Sequence, residues 1–207
     1  MPDNLASDTK GAALIEATLV LPVLLIVMFG MADLALFLWQ TNSAQKAVQL
    51  GTRQAIVSPS VAIGAGLTPV ESEAYWYGLP LGQRCAPSAA NGNSVCPVFN
   101  VTCSVITGCI CEGPSCKFSF SETRLLPILA AMRAALPGLR PEQVEISYAT
   151  NYLGYVGQQV PVPVDVGVKI INLRYDLMFL GDKFGPSIPI TASAIFPSEH
   201  MRSMDFQ

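Results

Sequence analysis

The chain reads as α+β: a long N-terminal helix, first transmembrane and then projecting, packed on a small antiparallel sheet, with a cysteine-rich insert stapled by disulfides. Three observations predict this. Between Glu16 and Asp33 sixteen residues pass without a charge. Apolar side chains then alternate in period two over three later segments, and six cysteines crowd into residues 85–116.

The helix comes first. Beyond Asp33, Leu34 to Trp39 prolong the apolar run, so Ala17 to Trp39 offers 23 residues, which at 1.5 Å each span roughly 35 Å against a hydrocarbon core of about 30 Å. Leu, Val, Ile, Met and Phe occur on every face, as expected where the surroundings are lipid rather than a one-sided core. Pro22 removes one helical hydrogen bond and frees the carbonyl of Thr18, which membrane helices tolerate; a mild kink is expected there. Gly30, Asp33 and Trp39 mark the far end of the span, with Asp33 about 9 Å inside Trp39. Its expected place is the outer interface or beside a basic group of a partner. Beyond Trp39 the helical pattern continues to Val57, with Ala44, Ala47, Val48, Gly51 and Ala55 on a narrow small-residue face and Gln45, Lys46, Gln49 and Arg53 elsewhere. Pro59 stops it. A break near Asn42-Ser43 would give two helices instead of one.

Residues 58–82 are rich in Pro, Gly, Ala and Ser, with a helical turn expected at Glu71 to Tyr77. In the insert, Asn91-Gly92 is a hairpin signal and Val95 to Ile106 reads as extended. Cys85, Cys96, Cys103, Cys109, Cys111 and Cys116 are an even set in a short window, which predicts three disulfides and an oxidising compartment. The rival is a metal site, but there is no CxxC pair and the one histidine, His200, is distant in sequence. Six cysteines allow fifteen pairings, and spacing does not choose among them.

Glu122 to Leu136 reads as a helix with Ser121 as N-cap, Pro127 in its early turns and Pro137-Gly138 at its end. Three strands follow. Val144, Ile146 and Tyr148 alternate, as do Val162, Val164, Val166, Val168 and Ile170, and again Ile188, Ile190, Ala192, Ala194 and Phe196. Each has one face to bury, and the projecting helix is the expected cover. Pro161, Pro163 and Pro189 direct their segments toward sheet edges or strand starts.

The front of the span carries the most specific pattern. A polar leader, MPDNLASDTK, precedes Gly11, and Glu16 follows within otherwise apolar sequence. Together with Leu21-Pro22, Phe29-Gly30, Asp33, Ala47, Gly51 and Arg53, and with the later VxVxV, Tyr175 and ITASA patterns, this resembles the TadE-like pseudopilins of tight-adherence pilus systems. The cysteine-rich middle lies outside the resemblance. It implies that residues 1–11 are a leader cut by a prepilin peptidase between Gly11 and Ala12. Residues 12–39 would then be the retained membrane helix, 40–57 its projecting extension, and 58–207 a pilin-like head outside the cytoplasm, with the insert at 85–116 and the sheet at 144–196. A carboxylate entering hydrocarbon costs about 3 kcal/mol, and cleavage would create a partner for Glu16 in the new amino group of Ala12. Otherwise Glu16 lies among the headgroups, where it suits the helix dipole. Ala17 stands where many tight-adherence pilins carry Tyr or Phe.

Lys10 on one flank and Lys46 and Arg53 on the other leave the positive-inside count indecisive, so the cysteines decide orientation: cytoplasm-in, with the head in the periplasm of an inner-membrane protein. A secretory signal peptide is the competing reading, with Gly30-Met31-Ala32 as the cleavage site before Asp33. Net charge is −3 with no basic cluster, so nucleic acid is not expected as a partner. No GxSxG, Walker, HExxH or dinucleotide pattern occurs. The expected protein is therefore neither an enzyme nor a cofactor or small-molecule binder. It is a minor pseudopilin that assembles or primes a type IVb pilus with other pilins and the pilus machinery. The alternatives are a membrane-tethered or secreted disulfide-rich binding module, or an anchored enzyme.

Overall fold

In the computed structural model, residues 9–64, 66–68, 75–87, 94–112, 116–158, 162–179 and 187–198 are described. Helix α1 runs from Thr9 to Val57 without interruption, through Pro22 and through Asn42-Ser43. The chain divides into two compact units, one of residues 1–40 with 174–188 and the other of residues 41–173 with 189–207.

The larger unit is built on an antiparallel core. Strands β1 (Ala62–Gly64), β2 (Asn100–Ser104), β3 (Gly108–Glu112) and β4 (Phe118–Phe120) precede helix α2 (Glu122–Arg133). After a 3-10 turn at Pro141–Gln143 come β5 (Val144–Thr150), β6 (Val164–Tyr175) and β7 (Ile188–Pro197). Five strands form one sheet in the order β3-β2-β5-β6-β7, and β1 pairs with β4 in a separate two-stranded ribbon. β2 lies antiparallel to both β3 and β5, and β5 antiparallel to β6.

Several expectations need correction here. The sheet does not begin at residue 144, because β2 and β3 of the cysteine-rich insert are strands of the same sheet; Val101 and Cys103 bury the alternate positions that let β2 pair with β5. The extended stretch expected over Val95 to Ile106 forms a strand only across Asn100–Ser104. α2 ends at Arg133, three residues short of Leu136, and the carbonyl of Met132 accepts the N–H groups of both Ala135 and Leu136 in the closing turn. Ser121 has the extended backbone of an N-cap but makes no side-chain capping bond. Pro127 is accommodated inside α2.

β5 and β6 bury what their alternation predicts, whereas β7 does so only at its centre: Ile188 and Ala194 are half-buried and Phe196 is exposed. Val144, Ile146 and Tyr148 of β5, Val164, Val166, Val168 and Ile170 of β6, and Ile190 and Ala192 of β7 form the sheet's share of the core, and Leu125, Ile128, Leu129 and Met132 supply that of α2. In β6 the period slips by one after Ile170, so that Leu173 and Tyr175 are the next buried residues; Asn172, with φ of 56°, marks the slip. Such a residue-long irregularity re-aims the end of a strand. β7 is an edge strand, which accommodates Pro189, and Pro163 falls just before β6.

The small-residue face of α1 is buried as expected: Ala44, Ala47, Val48, Gly51 and Ala55 are inside, and Gln45, Lys46, Gln49 and Arg53 are exposed. Thr52 joins that buried face. Its hydroxyl donates to the carbonyl of Val48 at 2.7 Å and lies 3.4 Å from that of Ala194 in β7. Tyr75 and Trp76 are helical and Tyr77 follows in a turn, whereas residues 71–74 of the turn expected from Glu71, the Asn91-Gly92 hairpin, Pro161 and His200 lie outside the described residues.

Candidate functional site

Among the described residues one helix is long and apolar enough to cross a membrane, and it is α1. From Leu14 to Met31 its large apolar side chains, among them Leu19, Val23, Leu24, Val27 and Met28, are exposed around the helix. A stretch so apolar and so bare would form a very large exposed patch in water and could span a membrane. Pro22 lies within it, and the Thr18 hydroxyl donates to the carbonyl of Ile15 at 2.8 Å.

Gly11 and Ala12 lie in the first turns of α1, and Glu16 is exposed one turn further on. Among the described residues nothing occludes Glu16, so its carboxylate is presented to the surroundings of the helix. Gly30 is half-buried and Trp39 is 66 % exposed.

Asp33 behaves differently from the rest of the span. It is 1 % exposed, and its carboxylate gathers donors from the turn that follows β6. The N–H of Met178 donates to Oδ1 at 3.0 Å, and the N–H of Phe179 reaches Oδ2 at 3.1 Å and Oδ1 at 3.4 Å. The Tyr175 hydroxyl donates to the Asp33 backbone carbonyl at 3.2 Å. Aromatic contacts flank the acid on both sides: Phe29 stacks on Phe179 with centroids 5.0 Å apart, and Phe37 meets Tyr175 edge-on at 5.7 Å. A carboxylate that accepts from two N–H groups is a strong, charge-assisted arrangement. Asp33, expected at the outer interface or beside a basic group of a partner, thus has donors within its own chain.

Sequence reasoning missed Met178 and Phe179. The available signal was Leu177-Met178-Phe179, an apolar run where a strand connection would ordinarily be polar.

The six cysteines are paired in chain order, Cys85–Cys96, Cys103–Cys109 and Cys111–Cys116. Cys103 and Cys109 face each other across the β2–β3 register. Cys85 and Cys96 pack with Val156 into a small core of their own, beside Trp76, Leu79 and Val95. Every cysteine sulfur is bonded to another.

Residues 11–53 match the family model described as TadE-like protein. The N-terminal segment is TadE-like. The TadE-like match opens on Gly11 and closes on Arg53, so it takes in Glu16, the apolar span, Asp33 and the small-residue face as far as Thr52, and leaves residues 54–207 outside. No curated protein and no solved structure matches the chain.

Proposed function

We propose that this chain is a minor pseudopilin of a tight-adherence pilus, held in the inner membrane by α1 and acting by packing rather than by catalysis. The observation that carries the reading is the TadE-like match: it begins at Gly11, directly after a polar leader, and runs through a helix that stays unbroken across the whole apolar span. A prepilin peptidase cuts between Gly11 and Ala12 on the cytoplasmic side, and the new amino group pairs with the exposed Glu16 of the same or a neighbouring subunit. Three disulfides support placing the rest of the chain in the oxidising periplasm.

Two features speak against removal of the span as a signal peptide. α1 passes through Gly30-Met31-Ala32 as regular helix, and Phe29, upstream of that cut, is stacked on Phe179. N-terminal sequencing of the protein recovered from membranes tests the proposal. Ala12 as first residue supports pilin processing; Asp33 would establish secretion, and Met1 an uncleaved anchor, and either overturns it.

A further inference from the structure

We propose that the turn after β6 is a second membrane-inserting element, with Met178 and Phe179 entering the bilayer beside α1 and Asp33 serving as the acceptor that lets their backbone reside there. This rests on the reading of α1 as a membrane anchor.

Depth along the helix is the first step. Phe29 lies ten residues before Trp39, about 15 Å along the axis. Between them Met31, Leu34, Leu36 and Leu38 are exposed, as is Trp39 itself. A bilayer that reaches Trp39 therefore surrounds the level of Phe29. Phe179 is at that level, since its ring is stacked on that of Phe29 at 5.0 Å and 12°. Two side chains of the turn suit hydrocarbon: Met178 is 73 % exposed and Phe179 52 %. Their apolar surface continues that of the helix, which commits the occupant to the acyl chains of the same bilayer.

The backbone is the second step. A turn brought to this depth carries N–H groups with no water to meet them, and irregular backbone is tolerated in a membrane only where such groups are satisfied within the protein. The N–H groups of Met178 and Phe179 both end on the Asp33 carboxylate. A carboxylate in an apolar span is itself costly unless it has partners. Each half of the arrangement thus removes the penalty of the other, and an acid in the midst of the helix acquires a reason. If instead the bilayer ends short of Phe29, the turn lies in water together with Met31 and Leu34 to Trp39.

Single-tryptophan versions of the full chain separate these cases. With Trp39→Phe and Trp76→Phe as background, Met178→Trp and, as a marker of the span, Leu24→Trp are reconstituted in phosphatidylcholine vesicles with brominated acyl chains. The expected result is loss of fluorescence at both positions, with little quenching by aqueous iodide. Quenching at residue 24 but not at 178 overturns the insertion of the turn and leaves the anchor standing; quenching at neither overturns both. Adding Asp33→Ala should make residue 178 accessible to iodide and shift its emission to the red while residue 24 stays unchanged, and an unaltered residue 178 would refute the role given to Asp33. For the unmutated chain, a photoactivatable group on the acyl chain should label the segment containing Met178 and Phe179 as well as α1. Labelling of α1 alone overturns the proposal without recourse to any variant.

Discussion

Gly51 of α1 leaves the space that Met132 of α2 occupies: a Cβ built on Gly51 would fall 2.6 Å from Met132 Cγ and 2.8 Å from its Sδ. Val168 of β6 lies 3.5 Å from the same point. Helix, helix and strand meet at this glycine.

Replacing Gly51 by alanine improves helix propensity by about 1 kcal/mol, but the added methyl requires Met132, which is fully buried, to move. Overpacking of this kind costs about 1–3 kcal/mol. Gly51→Ala is therefore expected to be neutral to destabilising, and Gly51→Val clearly destabilising, with Met132→Ala partly restoring stability in the double variant. Chemical denaturation of the wild type, Gly51→Val, Met132→Ala and their double variant reads the coupling; strict additivity would refute the contact.

Tyr148 gives a pH dependence. Its ring is fully buried in β5 and its hydroxyl oxygen accepts the N–H of Val61 at 2.9 Å. Burial pushes the phenol well above its ordinary value near 10, while the Val61 N–H and the positive charge of Arg124 work in the opposite direction. Tyr75, whose hydroxyl donates to the Pro97 carbonyl at 2.8 Å, is likewise raised by burial, to about 12. Both phenols are neutral in folded and unfolded chains below about pH 10, so their contribution is intact there. Above it the unfolded chain ionises first, and stability falls by about 1.4 kcal/mol per pH unit for each tyrosine until the folded protein also titrates. Tyr148→Phe should flatten that alkaline slope and, by leaving the Val61 N–H unmet, lower stability at neutral pH by about 1–3 kcal/mol. Denaturation at pH 8 and pH 11 checks both signs.

Cys109→Ser removes the staple between β2 and β3. The closed loop is short, with a separation of 6 residues, so the chain-entropy loss is about 2 kcal/mol. β3 is an edge strand held by β2, whereas β2 is also paired along its length to β5. Amides of residues 108–112 should then exchange faster while those of β5 and β6 keep their protection, and one thiol, Cys103, should become alkylatable after unfolding. Equal loss of protection in β5 would show the insert and the sheet to be one cooperative unit.

The two halves of the molecule were legible in the sequence to different degrees. The helix announced itself by composition, and β5, β6 and β7 by period two, because a two-sided sheet with one buried face writes alternation directly into the chain. The cysteines announced oxidation but not pairing. β2 was obscured since only Val101 and Cys103 mark its inner face, and a five-residue strand yields too few alternations to count. Asp33 was visible as an oddity, yet its partners are backbone N–H groups of Met178 and Phe179. Backbone donors leave no trace in residue identity, so the contact 145 residues away was unreadable.

Gly11 governs processing in the proposed function. A peptidase that accepts the chain in an open conformation at this point needs a residue with no side chain. Gly11→Val should leave the precursor uncut and still membrane-inserted, since the span from Ala17 onward is unaltered. Intact-mass measurement of membrane-extracted protein checks it: a mass unchanged from the processed wild type would refute the assignment of the cut.

Glu16 separates insertion from assembly. It is exposed on α1 at the head of the span, where its carboxylate costs about 3 kcal/mol if carried into hydrocarbon without a partner. Glu16→Ala removes that cost, so membrane insertion should be unchanged or improved, as judged by the fraction resisting alkaline extraction. Incorporation should move the other way, because the amino group of Ala12 loses its counter-charge and must itself be desolvated. Co-isolation of the variant with pilus components should drop several-fold, while Glu16→Asp, which keeps the charge on a shorter stem, should retain part of it. Wild-type recovery of Glu16→Ala would reduce Glu16 to a headgroup-facing residue. Loss of insertion together with assembly would show that the acid matters for entry into the membrane and not for the contact between subunits.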